Sequence, residues 1–399
     1  MTLTGGTLVA AGMMVTNIAI YGFNIVAARL LVPRELGALT ALFGILLVGT
    51  VAALGLQAVT ARRLAVDSAR TDEIIDVTVR ATVWLSVSVG VFAAVGSLAL
   101  TPILKLDSHW PVILCGATLI PLTMMGGQCG IAQGLERWGM LAAIYVGNGV
   151  GRLIGGTVAM LISPTPTAAM IGIAAGSWLP VIVGRSLLTG HLSPAVTISR
   201  RPMLRETFLA SHALLAYFVL SNMDSLIARN RLTEHDSGLY ASGLILAKAA
   251  LFFPQFISVI LFPDLARAGD HRARLRAVSI VAAFGALAVA ATALLPDVAQ
   301  ILVGGDKYAE ISDRLWLFAV SGSSLAIVHL LVFDALARHA HGIVVMVWIG
   351  VVAVFACAYG LDVGITGLVV TMASVAAALA LVVFLAPQPS REPPSDAPQ

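Results

Sequence analysis

The stretch LGALTALFGILLVGTVAALGLQAVT, residues 36–60, runs for twenty-five residues without a charged side chain, between Pro33-Arg34-Glu35 and Arg62-Arg63. A helix needs about 20 apolar residues to cross roughly 30 Å of hydrocarbon, and this run exceeds that length. Comparable runs predict helices at 7–28, 77–100, 111–133, 139–162 and 167–187, and then at 207–228, 238–262, 277–296, 310–335, 342–360 and 364–386. The reading is an all-α polytopic membrane protein of about twelve transmembrane helices, six in each half.

Composition agrees. Hydrophobic residues make up 58% of the chain, charged residues 11%, and the mean hydropathy is +0.93. An ordinary soluble domain carries roughly 25% charged residues, so a water-facing surface cannot be built from this set. The net charge of +3 is small and dispersed, which argues against a nucleic-acid partner. Cys115, Cys129 and Cys357 all fall inside apolar runs without disulfide or metal-ligand spacing, so they read as small core residues, and no cofactor or metal is expected. The first apolar run is too long for a signal-peptide core and is expected to be retained as a helix.

Lys and Arg set the orientation, because cytoplasmic loops carry their excess. Fifteen lie on one set of loops, among them Arg62, Arg63, Arg267, Arg272, Arg274 and Arg276, against seven on the other, Arg29, Arg34, Lys105, Arg229, Arg231, Lys307 and Arg314. Both termini are therefore expected in the cytoplasm. The expected organisation is an N-terminal bundle over 1–188, a cytoplasmic linker over 189–206, a C-terminal bundle over 207–386 and a disordered Pro-rich tail over 387–399. The halves share an order of features. Ala28-Arg29 precedes Gly37 as Ala228-Arg229 precedes Gly238, and a polar residue, Asn24 or Asp224, stands five positions before each Arg. Both halves start on the same side, so the repeat is parallel.

These stretches also carry a family resemblance. Val26-Ala-Ala-Arg-Leu-Leu-Val-Pro-Arg-Glu-Leu-Gly37 with Gly55-Leu-Gln-Ala-Val-Thr-Ala-Arg-Arg63, Asn222-Met-Asp-Ser-Leu-Ile-Ala-Arg229 with Gly238-Leu-Tyr240, and Gly304-Gly-Asp-Lys-Tyr308 resemble the polysaccharide-type flippases of the multidrug/oligosaccharidyl-lipid/polysaccharide exporter superfamily. The resemblance implies a MATE-like fold of two six-helix bundles facing a central cavity, alternating access, and a lipid-linked oligosaccharide or polyprenyl-phosphate glycan as cargo for envelope polysaccharide assembly. It further implies a bacterial-type inner membrane and biosynthetic enzymes as partners. A monomer is the expected state.

An ionisable group inside a span costs at least about 2.5–3.5 kcal/mol on insertion scales, so the few present are informative. Arg152 lies near the middle of the fifth helix and Lys248 near the middle of the eighth. A phosphate crossing low dielectric needs cationic partners, and these two are the expected head-group binders. Asn148, four residues before Arg152, shares its face and is placed to hold the guanidinium or a sugar hydroxyl. The alternative is that each cation pairs permanently with an acid, Asp224 foremost. Asn24 and Asp224 form an outward polar site, Asp224 a candidate for proton or Na⁺ coupling; alternatively Asp224 is a helix-end acid neutralised by Arg229 or water. Gly147, Gly151 and Gly155 form a small-residue packing face. Asp334 reads as an i, i+4 ion pair with Arg338, Arg267 to Arg276 as a basic loop beside anionic lipid, and Gln57, Gln128, Gln133 and Gln255 as either cavity-lining or interhelical amides. A drug or cation antiporter of the same superfamily would favour acids over mid-depth cations. A membrane glycosyltransferase would need acids on a substantial external loop, a P-loop is absent, and a scaffold would not need the buried charges.

Overall fold

The computed structural model of the chain describes residues 3–188, 201–252, 271–337, 342–361 and 363–386. They form α1 (Leu3–Leu30), α2 (Pro33–Gly49), α3 (Val51–Val66), α4 (Thr71–Ile103), α5 (Trp110–Gly134), α6 (Trp138–Ile162), α7 (Pro166–Gly176) and α8 (Trp178–Val183). Then follow α9 (Arg201–Leu220), α10 (Met223–Arg231), α11 (Glu234–Phe252), α12 (His271–Leu294), α13 (Pro296–Val303), α14 (Leu315–Ala337), α15 (Gly342–Gly360) and α16 (Ile365–Leu385). A 3₁₀ segment, Asp306–Arg314, leads into α14. Prolines stand in the first turn of α2, α5, α7 and α13, where a missing N–H costs nothing. The Thr165 side chain caps α7 by accepting from the Ala168 N–H.

Short breaks near Thr50, Ser177 and Ser221 divide three long runs, so α2–α3, α7–α8 and α9–α10 each make one span, and twelve membrane-length segments are described. There is no strand among the described residues. The class is the expected one, all-α and polytopic. Among the described residues, nine segments are long and apolar enough to cross a membrane by length and composition. The other three, α6, α9–α10 and α11, are the ones that carry Arg152, Asp224 and Lys248. Most helices overrun their predicted ends, α4 starting at Thr71 rather than 77 and α9 at Arg201 rather than 207. Hydropathy sees only the apolar stretch, whereas the hydrogen-bonded ladder continues through polar turns such as Thr71–Asp76. The linker stretch 189–200, Gln255, Arg267, Arg338 and the tail 387–399 lie outside the described residues.

The chain divides into two compact units, Met1–Leu246 with Leu295–Leu315, and Ala247–Leu294 with Trp316–Gln399. In the first, α6 is held between α1 and α7. Gly151 and Gly155 on α6 meet Gly176 and Gly172 on α7 so closely that a Cβ on any of the four would overlap the facing carbonyl. The small-residue face read from sequence is thus a packing face. On its other side α6 sets Gly149 against Thr16 and Gly156 against the Phe23 ring of α1. A similar seam joins the first-half span α2–α3 to the second-half helices α9–α11, with Gly37 against Ser237, Gly44 against Ser225 and Gly55 against Ser211.

That seam is fastened at both ends. At the end expected to be external, Arg229 is 2% exposed and donates to the carbonyls of Leu104 (2.8 Å), Lys105 (2.9 Å) and Arg34 (3.2 Å), with Glu234 3.5 Å away. Lys105, at φ 49°, returns a bond to the Leu232 carbonyl, and Arg34 pairs with Asp107 and Glu234. The Gly304-Gly-Asp-Lys-Tyr308 turn closes on the same end. Gly304 adopts φ +131°, Lys307 donates to the Arg29 carbonyl, and the Tyr308 hydroxyl donates to the Ala28 carbonyl. Two motifs quoted separately from the sequence therefore touch. At the opposite end the fastening is one carboxylate, Glu206, which accepts from Arg63 (2.8 Å) and Arg62 (3.3 Å). The Arg63 hydrogen bond chiefly holds this half-exposed carboxyl below the usual carboxylate range.

In the second unit, Gly285 of α12 packs on Ser323 of α14, and Gly322 of α14 on Ala247 of α11. Arg274 was expected on an exposed basic loop. It is instead 3% exposed, 3.5 Å from Asp334, and donates to the Val383 and Phe384 carbonyls of α16. Asp334 thus reaches across to α12; the pair expected with Arg338 on its own helix lies outside the described residues. A buried guanidinium needs such a set of acceptors, and helix α12 begins early enough to supply one.

Two substitutions test this packing. Gly151→Val is expected to cost about 1–3 kcal/mol by overpacking α6 against α7 and to lower the apparent melting temperature in detergent, whereas Gly139→Ala, where a Cβ meets only Leu8 Cδ2 at 3.7 Å, leaves it unchanged. Arg229→Lys is expected to leave buried carbonyls unsatisfied, at about 1–3 kcal/mol, and to raise hydrogen exchange in residues 103–107, because an ammonium cannot span the acceptors of a guanidinium fork.

Candidate functional site

The interior face of α6 follows from its spacing. Tyr145, Asn148 and Arg152 are three and four residues apart, which stacks them on one stripe of a helix with 3.6 residues per turn. Ile154, Val158 and Leu161 occupy the opposite side and are 57%, 52% and 67% exposed, as a lipid-facing edge would be. The polar stripe therefore points into the first unit, between the face that packs on α1 and the face that packs on α7.

Arg152 is held by aromatic rings. Its Cζ lies 4.0 Å from the Phe43 ring centroid on α2 and 5.5 Å from that of Phe23 on α1, and the two rings meet edge to face at 5.8 Å. Its Nε is buried without a hydrogen-bond acceptor, and no acid pairs with it among the described residues. Cation–π contacts reach about 2 kcal/mol when desolvated, enough to offset much of the cost of placing the charge there while leaving its donors unspent. The sequence alternative, a permanent pair with Asp224, does not describe Arg152.

Asn148 precedes Arg152 by four residues on the same stripe, and Asn24 follows Phe23 on α1. Asn148 and Asn24 are half-buried and carry no hydrogen bond among the described residues, as is Asn17, seven residues before Asn24 on the same stripe of α1. Toward the end expected to be cytoplasmic, Gln57 Nε2 donates to Gln133 Oε1 and to Tyr145 Oη, both at 3.0 Å. Gln128 differs. It is 4% exposed and donates to the Val181 carbonyl, an interhelical bond. The structure thus keeps Asn148 on the Arg152 stripe and adds Phe43 at the guanidinium and Tyr145 on the same stripe, which sequence reading missed; Asn24, next to Phe23, and Asn17 lie on α1. The i, i+7 spacing of Asn17 with Asn24, and of Tyr145 with Arg152, was the available signal.

The other predicted residues lie elsewhere. Asp224 is 2% exposed at the start of α10, where Oδ1 accepts from the Ser225 N–H and Oδ2 from the Tyr240 hydroxyl at 3.2 Å. Arg229, its proposed neutraliser, is committed to the carbonyl clamp and Glu234. Lys248 is half-buried on α11 and belongs to the second unit. Cys115 and Cys129 are buried free thiols, and Cys357 is a half-buried one. No group of His, Cys, Asp and Glu able to hold a metal occurs among the described residues.

No family model matches the sequence, and no curated protein matches it either. Solved structures do. The inward-facing conformation of a multidrug resistance MATE family transporter of the MOP superfamily aligns with a TM-score of 0.77 at 13% identity, over 95% of this chain and 96% of that one. The lipid II flippase MurJ, in an inward closed conformation, aligns with a TM-score of 0.77 at 10% identity, over 94% and 86%. The eukaryotic MATE transporter AtDTX14 aligns with a TM-score of 0.60 at 14% identity, over 96% of each. The chain has the fold common to MATE transporters and the MurJ flippase.

Proposed function

We propose that this protein is a membrane transporter that moves a lipid-linked saccharide, an oligosaccharide on a polyprenyl phosphate or diphosphate, from the inner to the outer leaflet by alternating access. One observation carries the reading. Arg152 sits at mid-depth on the interior stripe of α6, fixed by Phe43 and Phe23 rather than by an acid, so its donors remain for an anionic head group. A guanidinium fork suits phosphate oxygens, and the amides proposed to act with it, Asn148 on the same stripe and Asn24 on α1, suit hydroxyls. Lys248 is its counterpart in the second half. The fold shared with a lipid II flippase supports the cargo class, while the MATE transporters with the same fold handle drugs. A permanent cation at mid-depth repels cationic drugs and separates the two readings. Asp224, buried against Tyr240, is the proposed coupling residue for protons or Na⁺.

The proposed setting is a bacterial-type inner membrane, with both termini cytoplasmic, the chain acting as a monomer alongside membrane lipids and polysaccharide biosynthesis enzymes, and without enzymatic activity of its own. In vesicles carrying a labelled polyprenyl-diphosphate saccharide in one leaflet, the wild type is expected to translocate the label. Arg152→Ala is expected to cut the rate at least tenfold in protein that still purifies folded and monodisperse, and Arg152→Lys to retain part of it. Full translocation by Arg152→Ala would remove the cation from the transport path. Efflux of a cationic drug without glycolipid flipping would favour the antiporter.

A further inference from the structure

Gln57, Gln133 and Tyr145 come from three helices, α3, α5 and α6, and meet through two hydrogen bonds donated by a single amide. Both bonds use the Gln57 NH₂ group. What the cluster has left over is therefore definite: the Tyr145 O–H as a donor, Gln57 Oε1 as an acceptor, and the NH₂ of exposed Gln133 as further donors. An amide placed only to tie helices together looks like Gln128, which is sealed in and bonded to a backbone carbonyl. Gln57 is half-buried and Gln133 exposed.

The placement matters as much as the chemistry. Tyr145 is on the same interior stripe of α6 as Asn148 and Arg152, seven residues before the latter, so about 10 Å separates them along the axis at 1.5 Å per residue. The stripe passes from neutral donors and acceptors toward the end expected to be cytoplasmic, through Asn148, whose neighbour Gly149 packs on Thr16 of α1, to the guanidinium against Phe43. None of the groups before Arg152 on this path carries a charge. A ligand that fits has an anion at one end and, within about 10 Å, hydroxyls that both donate and accept.

Resting on the proposed transport of a lipid-linked saccharide, we infer that Tyr145 and Gln57, with Gln133, form a saccharide-recognition subsite. It reads the first one or two sugar rings of the cargo by neutral hydrogen bonds while Arg152 holds the phosphate. Selectivity for a glycosylated over a bare carrier thus resides in the Gln57–Tyr145 cluster, and affinity for the anion in Arg152.

The test titrates the full chain in detergent by calorimetry with two probes, a short-chain polyprenyl diphosphate bearing a disaccharide and the same polyprenyl diphosphate without sugar. The wild type is expected to bind the glycosylated probe more tightly. Tyr145→Phe, which keeps the ring, and Gln57→Leu are each expected to weaken that probe about fivefold, the usual scale of one neutral hydrogen bond, without changing the sugar-free probe. Arg152→Gln is expected to weaken both. Equal losses on the two probes in Tyr145→Phe, or no loss on either, would overturn the subsite. A wild type that binds both probes equally also overturns it, yet leaves the anion reading intact. A wild type that binds neither overturns the transport reading and the subsite together.

Discussion

The contact between the Arg152 guanidinium and the Phe43 and Phe23 rings is the interaction around which the interior of the first unit is arranged. A lone cation at mid-depth costs a few kcal/mol, and a desolvated cation–π pair returns an amount of similar size, so the charge is tolerated without a carboxylate. Stacking of that kind demands closeness among α1, α2 and α6. Glycine supplies it: Gly149 and Gly156 admit α1, while Gly151 and Gly155 admit the backbone of α7. A residue type chosen for its lack of a side chain thereby determines where a charged one can rest. The chain of cause runs from spacing, through close helix approach, to an available charge.

The two ends of the seam between α2–α3 and α9–α11 are fastened by different physics. At one end a fully buried guanidinium serves several backbone carbonyls, and an unmade bond there leaves polar groups stranded. At the other a half-exposed carboxylate meets two arginines, a contact that water and salt screen and that is worth well under 1 kcal/mol when exposed. Between them the Ser211, Ser225 and Ser237 hydroxyls each bond a carbonyl of their own helix, so the facing glycines are not needed as partners. Ser211 alone also reaches across, to the Val51 carbonyl at 3.3 Å, so the middle of the seam rests on close packing more than on polar bonds.

Much of this was legible in the sequence because it is periodic. Apolar runs of bilayer length gave the segments, the four-residue glycine repeat marked the α7-facing side of α6, and Asn148 and Arg152 fell on one stripe by counting. What escaped reading came from distant parts of the chain. Nothing local to Arg152 announces Phe43, more than a hundred residues upstream. Asp334 has an arginine four residues away in sequence, so counting along the helix gave no reason to look for Arg274, which reaches it from another helix. Arg274 itself looked like a loop charge because its apolar run begins after it. The Gly304–Tyr308 turn was read as an external loop without sign that its tyrosine would seek the Ala28 carbonyl.

The acceptors of Arg229 are main-chain oxygens at Leu104, Lys105 and Arg34. Every residue offers such an oxygen, so the clamp itself places no demand on the side chain of Leu104, whereas Lys105 and Asp107 hold bonds of their own to the Leu232 carbonyl and to Arg34. The guanidinium, by contrast, has no substitute. Among descendants of this sequence, the arginine of α10 should persist while the residue at 104 changes.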